Sequence, residues 1–210
     1  MLIQGLYAVT PDIENTDLLL EKVTLALQGG ANILQYRNKL ADAGLRKDQA
    51  SALLPVCRQY HVPLIINDDV ALCQSLDADG VHLGGTDGDI AAVRQLLDAH
   101  KIIGTSCYNR LDLAQQAATQ GASYIAFGAC FASSTKPHAP VAPLDLFAQA
   151  KPLGLPMVAI GGITLETAQL AIQAGADAVA VINALFANDD VIASAAKFNQ
   201  LFETLTIKIL

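Results

Sequence analysis

Two basic residues stand at alternate positions just beyond a short apolar run. Gln35, Arg37 and Lys39 lie at or after the end of residues 32–36, which the pattern predicts to be a strand. Alternate residues of a strand face the same side, so these three share a face with Ile33 and the cations must emerge at the strand end. The Arg fork and the Lys point charge there suit a diphosphate. A solvated loop whose cations pair with surface acids is the alternative.

Carboxylates follow the next two apolar runs. Asn67, Asp68 and Asp69 come directly after the third run, and Asp87 follows the fourth. Two carboxylates on adjacent loops, Asp68 and Asp87, would form with phosphate oxygens and water the hard-oxygen site that Mg²⁺ prefers. Aspartates in such places also cap helices. The alternative is therefore that Asp68 or Asp69 caps the next helix, and Asp87 or Asp89 the one after it.

Two further polar residues stand at or inside apolar runs. His82 lies within the fourth run, and we interpret it as a structural histidine with satisfied hydrogen bonds. Ser106 ends the fifth run, where its hydroxyl could donate to a substrate or cap the following helix. The sequence leaves both interpretations of Ser106 open.

The stretch after the sixth apolar run is the longest loop of the predicted pattern. Residues 128–143 are rich in hydroxyl groups and proline, and they include Ser133, Thr135 and Lys136. Long loops in compact domains are commonly lids or binding loops. These three side chains would suit a second phosphate-bearing group, and a solvated surface loop is the alternative.

Glycines follow the seventh apolar run, and an amide side chain follows the eighth. Gly161 and Gly162 allow the backbone to approach an anion closely, and Ile182 with Asn183 begins the last connection. In eight-stranded barrels these two loops commonly form a phosphate site from backbone N–H groups and a helix N-terminus. We therefore expect phosphate binding here.

The elements that must position these residues form one repeated unit. Short β-rich runs alternate with amphipathic helical stretches, and three turns repeat one chemistry, with a Gly just after a helix. Eight such units predict a single (β/α)8 barrel over residues 1–210, with its active site at the C-terminal ends of the strands. An open doubly wound sheet is the alternative. The predicted strands are 3–9, 32–36, 62–66, 80–83, 102–105, 124–127, 156–160 and 178–182. The predicted helices are 15–28, 45–60, 70–75, 90–99, 111–120, 144–151, 165–174 and 193–204.

Composition narrows the function classes. The chain has 210 residues, of which 52% are hydrophobic and 16% charged, so it can bury a large core. A net charge of −7 argues against nucleic-acid partners and against docking on anionic lipid. Four widely spaced cysteines, a start without signal-peptide character and no long apolar run predict a cytoplasmic protein outside the membrane. The oligomeric state stays open, a homo-oligomer included.

Taken together, these motifs resemble those of the thiamine-phosphate synthase family. The resemblance covers about residues 5–202, and each motif is short, but their order and spacing are specific. The matching motifs are Gln35-Tyr36-Arg37-x-Lys39, Asn67-Asp68, Gly80-Val81-His82-Leu83-Gly84 with Asp87, Gly104-x-Ser106, Phe131 to Thr135-Lys136, and Ile160-Gly161-Gly162-Ile163.

The resemblance implies a reaction between hydroxymethylpyrimidine diphosphate and a thiazole phosphate, which gives thiamine phosphate and pyrophosphate. It implies that Asp68 and Asp87 hold Mg²⁺. It also implies three groups of substrate contacts. These are Gln35, Arg37, Lys39 and Asn67 on the diphosphate, Ser106 and Lys136 at the diphosphate and pyrimidine end, and Ser133, Thr135, Gly162 and the backbone near Ile182 and Asn183 on the thiazole phosphate. Arg37, Lys39, Ser106 and Lys136 would be the catalytic residues.

Three positions depart from the family pattern. Gly85 stands where the family usually has Gln, Ser133 where it often has Thr, and Asn183 where it has Ser. These changes bear on the fit of the thiazole phosphate more than on the reaction class. Two rival functions stay open: a thiazole tautomerase of the same superfamily and a non-catalytic sensor of a thiamine-related ligand. The cations and carboxylates disfavour the tautomerase, because it has no diphosphate to hold.

Overall fold

A closed barrel of parallel strands forms the centre of the protein. The computed structural model describes residues 3–84, 89–132 and 141–207, and within these ranges eight strands hydrogen-bond in chain order, with β8 pairing back to β1. The strands are β1 Gly5–Val9, β2 Ile33–Tyr36, β3 Leu64–Asn67, β4 Gly80–Leu83, β5 Ile102–Tyr108, β6 Tyr124–Gly128, β7 Met157–Ile160 and β8 Ala178–Val181. The predicted (β/α)8 barrel is confirmed, and the open sheet is wrong.

Helices follow the strands and cover the outside of the barrel. They are α1 Thr16–Gln28, α2 Ala43–Gln59, α3 Val70–Leu76, α4 Ile90–Leu96, α5 Leu111–Thr119, α6 Asp145–Ala150, α7 Leu165–Gln173, α8 Asn183–Phe186 and α9 Val191–Ile207, with a 3₁₀ turn at Lys151–Leu153. In the part of the chain that the structure describes, no helix combines the length and the apolar character needed to cross a membrane.

The predicted element bounds differ from the observed ones mainly at two places. Strand β5 runs three residues further than predicted, to Tyr108, with a register shift against β6 between Ser106 and Tyr108. Helix α8 was not predicted, because four residues are too few to give a helical hydrophobic period.

Local chemistry explains where the helices begin and end. The side chains of Asn15 and Thr164 accept hydrogen bonds at the starts of α1 and α7. Just after α1, α5 and α7, Gly30, Gly121 and Gly175 adopt positive φ, as the repeated turns predict. The N-caps lie at the C-terminal ends of the strands, and the glycine turns lie at the opposite end of the barrel.

Two buried clusters hold the barrel together. The larger one packs strands against helices, and the smaller one fills the barrel interior with side chains such as Tyr7, Ile33, Ile65, Tyr124 and Val158. Residues alternate between the two clusters along each strand, as the pleat requires. Ile33 belongs to the interior cluster, so the predicted face of Gln35 is the inside of the barrel.

Candidate active site

A chain of hydrogen bonds crosses the barrel interior below the mouth. Gln35 Nε2 donates to Tyr7 Oη over 2.9 Å, and Tyr7 Oη lies 2.7 Å from Tyr124 Oη. Tyr124 Oη lies 2.8 Å from His82 Nδ1, and His82 Nε2 lies 2.9 Å from Ser106 Oγ. We call these five residues the interior polar chain. It connects two predicted substrate-binding residues, Gln35 on β2 and Ser106 on β5.

Glycine at position 104 makes room for this chain. A Cβ on Gly104 would overlap the Tyr124 ring and its hydroxyl oxygen. Gly104 and Ser106 therefore belong together on the interior face of β5. The first leaves space for the Tyr124 phenol, and the second completes the chain. These two roles explain the residue types in the Gly104-x-Ser106 motif.

The interior polar chain is neutral. Burial lowers the pKa of His82 to about 4, because the imidazolium would lose its hydration. Burial also raises the pKa of both Tyr7 and Tyr124. His82 has both ring nitrogens hydrogen-bonded, so its interpretation as a structural histidine is confirmed. Ser106 does not cap a helix, since its hydroxyl bonds to His82 and α5 begins after Arg110; the capping interpretation is wrong.

Arg37 emerges at the C-terminal end of β2, as the alternation predicts, and it also pairs with an acid. Its Nη1 lies 3.4 Å from the Asp12 carboxylate, which accepts the Lys39 backbone N–H over 2.7 Å. Buried Thr10 fixes the same segment, exchanging two 2.8 Å hydrogen bonds with the backbone of Arg37. The predicted position of Arg37 and its alternative, pairing with an acid, therefore both hold. The Lys39 side chain is exposed.

A cavity of about 570 Å³ opens between the loops that follow β2 and β3. Arg37, Lys39, Asn67 and Asp68 line it, so four predicted site residues meet in one place. Arg46 of α2 also lines the cavity, and its guanidinium donates to the Ala41 carbonyl over 2.9 Å. Sequence reasoning missed Arg46 and Asp12. Asp12 lies shortly after the end of β1, so the strand-end rule could have found it; Arg46 lies inside a helix, where that rule does not apply.

The Asp68 carboxylate is kept at the mouth because its neighbours do the capping. Asp69 accepts from the Leu72 N–H at the start of α3, and Asp89 caps α4. Asp68 instead has φ of 61°, and its two oxygens accept from Asn67 Nδ2 over 2.6 Å and from the Gly84 N–H over 3.3 Å. A positive φ is uncommon in residues other than glycine, and Asp68 adopts it directly after β3, at the wall of the cavity.

Of the two carboxylates predicted to hold Mg²⁺, Asp68 lines the cavity over β2 and β3. Asp87, like Gly85, lies outside the described residues, and residues 3–84, 89–132 and 141–207 contain no group of three or more His, Cys, Asp or Glu side chains that could hold a metal. Mg²⁺ commonly uses only one or two protein carboxylates and takes its other ligands from water and substrate phosphates. The Asp68 oxygens, beside a cation-lined cavity, fit this requirement.

A second cavity, of about 370 Å³, opens on the other side of the mouth. The loops after β7 and β8 line it, and they include Gly161, Gly162, Ile182 and Asn183. Gly162 has φ of 65°, and a Cβ there would lie 2.5 Å from the Phe131 carbonyl oxygen. Glycine is therefore required for both conformation and space. The predicted residues Ser133, Thr135 and Lys136 lie outside the described residues.

The four cysteines are free and buried. Burial raises the pKa of the Cys107 thiol to about 12 and that of Cys130 to about 11, and the other two shift in the same direction. The reactive form of cysteine is the thiolate. None of the four is therefore an activated nucleophile at neutral pH.

Fold and site together define a (β/α)8 barrel with a candidate anion-binding mouth at the C-terminal ends of its strands. The family model described as thiamine monophosphate synthase matches residues 6–185. A thiamine-phosphate synthase of Methylobacillus flagellatus is 60% identical over 95% of this chain and 96% of its own, and one of Chromobacterium violaceum is 54% identical over 92% and 93%. The solved thiamine phosphate pyrophosphorylase of Pyrococcus furiosus superposes with a TM-score of 0.86 at 30% identity, covering 96% of both chains. The chain belongs to the thiamine monophosphate synthase family.

Proposed function

We propose that this chain is a thiamine-phosphate synthase. It would couple 4-amino-2-methyl-5-hydroxymethylpyrimidine diphosphate with 4-methyl-5-(2-phosphoethyl)thiazole to give thiamine phosphate and pyrophosphate. The observation that carries the proposal is the mouth itself. A cavity lined by Arg37, Lys39, Asn67 and Asp68 and a backbone-lined cavity at Gly162 open at the same end of one barrel. Two anionic substrates need two such subsites.

The diphosphate belongs over β2 and β3. Arg37 presents a planar fork, and Lys39 a mobile point charge, to the phosphate oxygens. Asn67 adds an amide donor, and Ser106 and Lys136 would complete the contacts at the pyrimidine end. The pair between Arg37 and Asp12, whose side chains are 26% and 31% exposed, keeps the guanidinium oriented before the substrate arrives.

Asp68, together with Asp87, would hold Mg²⁺ beside the diphosphate. When bound, the ion would neutralise charge on the departing pyrophosphate. Asn67 supports this role of Asp68, since its amide hydrogen bond fixes one carboxylate oxygen.

The thiazole phosphate belongs over β7 and β8. Backbone N–H groups near Gly162, Ile182 and Asn183 would hold its oxygens, with Ser133 and Thr135 as hydroxyl donors. The departures at Ser133 and Asn183 keep side chains that can donate hydrogen bonds, so both are compatible with phosphate binding.

The reaction requires the protein only to position the two substrates and to stabilise the charge of the leaving pyrophosphate. The bond between the pyrimidine methylene carbon and the diphosphate oxygen breaks, and its electron pair leaves with pyrophosphate. The thiazole nitrogen then gives its lone pair to that carbon, and the carbon–nitrogen bond of thiamine phosphate forms. Because the ring stabilises the methylene cation, we propose a dissociative path. Arg37, Lys39, Ser106 and Lys136 would stabilise the leaving charge.

This path uses no protein nucleophile, which agrees with the protonated state of Cys107 and Cys130. Four free buried thiols also agree with a reducing compartment, and we propose a cytoplasmic location.

The decisive experiment mixes both substrates with Mg²⁺ and measures pyrophosphate and thiamine phosphate. Omission of either substrate or of Mg²⁺ should abolish both products. Isomerisation of the thiazole without use of the pyrimidine diphosphate would indicate the tautomerase, and binding without product would indicate the sensor. Either result would refute the synthase.

A further inference from the structure

The interior polar chain has a direction that can be read from its donors. Gln35 Nε2 can only donate, so Tyr7 Oη accepts from it. Among the hydrogen-bond partners of Tyr7 Oη in the described part of the chain, only Tyr124 Oη, 2.7 Å away, is then left to accept the buried Tyr7 hydrogen. Tyr124 has one hydroxyl hydrogen. Since Tyr124 accepts from Tyr7, that hydrogen points at His82 Nδ1, 2.8 Å away.

The direction continues through the imidazole. A neutral histidine carries one N–H, and the two nitrogens cannot both donate. Because His82 Nδ1 accepts from Tyr124, the proton resides on Nε2 and is donated to Ser106 Oγ over 2.9 Å. Ser106 Oγ is therefore an acceptor inside the barrel, and its own hydrogen is left for an acceptor on the mouth side, where the residue is half-buried.

We propose that the interior polar chain fixes His82 as the Nε2–H tautomer and thereby holds Ser106 as a hydrogen-bond donor toward the mouth. Tyr7, Tyr124 and His82 are then positioning residues, and Ser106 is the group that touches the substrate. The ligand atom is a hydrogen-bond acceptor, either a diphosphate oxygen or a ring nitrogen. This part of the inference rests on the proposed function, whereas the tautomer does not.

Because the interior polar chain is buried, the direction of its hydrogen bonds decides whether Ser106 can donate to a ligand. An unpaired polar atom is expensive inside a protein, so reversing one bond requires reversing all of them. In the reversed chain the Gln35 amide oxygen would accept from Tyr7, His82 would carry its proton on Nδ1, and Ser106 would donate to Nε2. Its hydrogen would then be unavailable to a substrate.

The tautomer can be measured on the protein without substrates. Nitrogen-15 NMR of histidine-labelled protein gives the protonation of each ring nitrogen, and the His82→Gln variant identifies the His82 signals by their loss. We expect a protonated Nε2 and a bare Nδ1. A protonated Nδ1 overturns the inference, even if the coupling activity is present. Absence of coupling activity would refute the proposed function and leave the tautomer result standing.

A double-mutant cycle tests whether Tyr124 acts through Ser106. We expect Ser106→Ala to lower kcat/KM about 10-fold, the scale of one hydrogen bond to a charged group. Tyr124→Phe should lower it less, and the double variant should match Ser106→Ala alone. If the double variant instead showed the product of the two single losses in kcat/KM, Tyr124 would not act through Ser106.

Tyr36→Phe is the matched control for that cycle. Tyr36 is also buried and donates its hydroxyl to Gln49 Oε1 over 2.8 Å, but it lies outside the barrel interior. Its effect should multiply with that of Ser106→Ala. Should Tyr124→Phe fail to fold, Tyr7→Phe serves instead. It removes the donor that orients the Tyr124 hydroxyl, so its loss of kcat/KM should disappear in combination with Ser106→Ala; a double variant with the product of the two single losses would overturn the coupling.

Discussion

The two cavities at the mouth differ in what lines them: side chains over β2 and β3, and backbone over β7 and β8. Over β2 and β3, long side chains line the cavity, and Asp12 and Asn67 orient Arg37 and Asp68. Over β7 and β8, glycines such as Gly162 bring bare backbone to the cavity wall. The first side can lose one charge and keep its shape, whereas the second changes shape when one methyl group is added. Substitutions should therefore fail differently on the two sides.

The largest expected effect is on the side-chain side. Asp68→Asn removes the charge of the proposed Mg²⁺ ligand, so we expect kcat to fall on the order of 100-fold, with more Mg²⁺ needed for half-maximal rate. Steady-state rates over a Mg²⁺ series measure both. Asp69→Asn is the control: Asn caps a helix as well as Asp does, so its rate should stay near that of the unmodified protein. An unchanged Mg²⁺ requirement in Asp68→Asn would remove this residue from the metal site.

On the backbone side, Gly162→Ala should raise KM for the thiazole phosphate about 10-fold, because the loop proposed to present the N–H donors must move. Gly154→Ala is matched, since Gly154 has nearly the same φ, 69°, with nothing within 4 Å of a Cβ there. Gly154→Ala should lower the free energy of unfolding by about 1–2 kcal/mol, the cost of alanine in a left-handed conformation, and Gly162→Ala by more, because its Cβ also meets the Phe131 carbonyl oxygen. Only Gly162→Ala should alter KM; equal kinetics in the two variants would contradict the backbone site.

A smaller effect is expected from a substitution at Arg37 that keeps the charge and changes the shape of the side chain. Arg37→Lys keeps the charge and loses the planar fork, so we expect KM for the pyrimidine diphosphate to rise about 5-fold. KM for the thiazole phosphate should be unchanged. Arg58→Lys, at an exposed residue 3.9 Å from Asp77, provides the control. If KM for both substrates rose together in Arg37→Lys, the two sides would not be separate subsites.

The smallest effect should come from Asn183→Ser, which restores the family's residue. Backbone groups carry the expected phosphate contacts, so KM for the thiazole phosphate should change by no more than about 3-fold. Competition between substrate and inorganic phosphate measures this directly. A large gain in affinity would reveal that the Asn183 side chain impairs the site.

The sequence predicted the residues that obey a simple periodic rule. Gln35 and Arg37 were located by alternation along β2, and Gly30, Gly121 and Gly175 by their places after helices. Tyr7 and Tyr124 were missed because an aromatic residue in an apolar strand predicts core packing, and only the closure of the barrel brings the two hydroxyls to 2.7 Å. Arg46 was missed because the approach of a helix to a neighbouring loop is not encoded in local spacing.

Because a Cβ at position 104 would overlap the Tyr124 phenol, the residue that β5 can carry at 104 depends on the residue that β6 carries at 124. A side chain at 104 can be accepted only if residue 124 shrinks at the same time, whereas residue 124 can shrink beside Gly104. Relatives that carry a side chain at 104 should therefore carry a residue smaller than tyrosine at 124. An engineer who wishes to place a side chain at 104 must redesign both positions together.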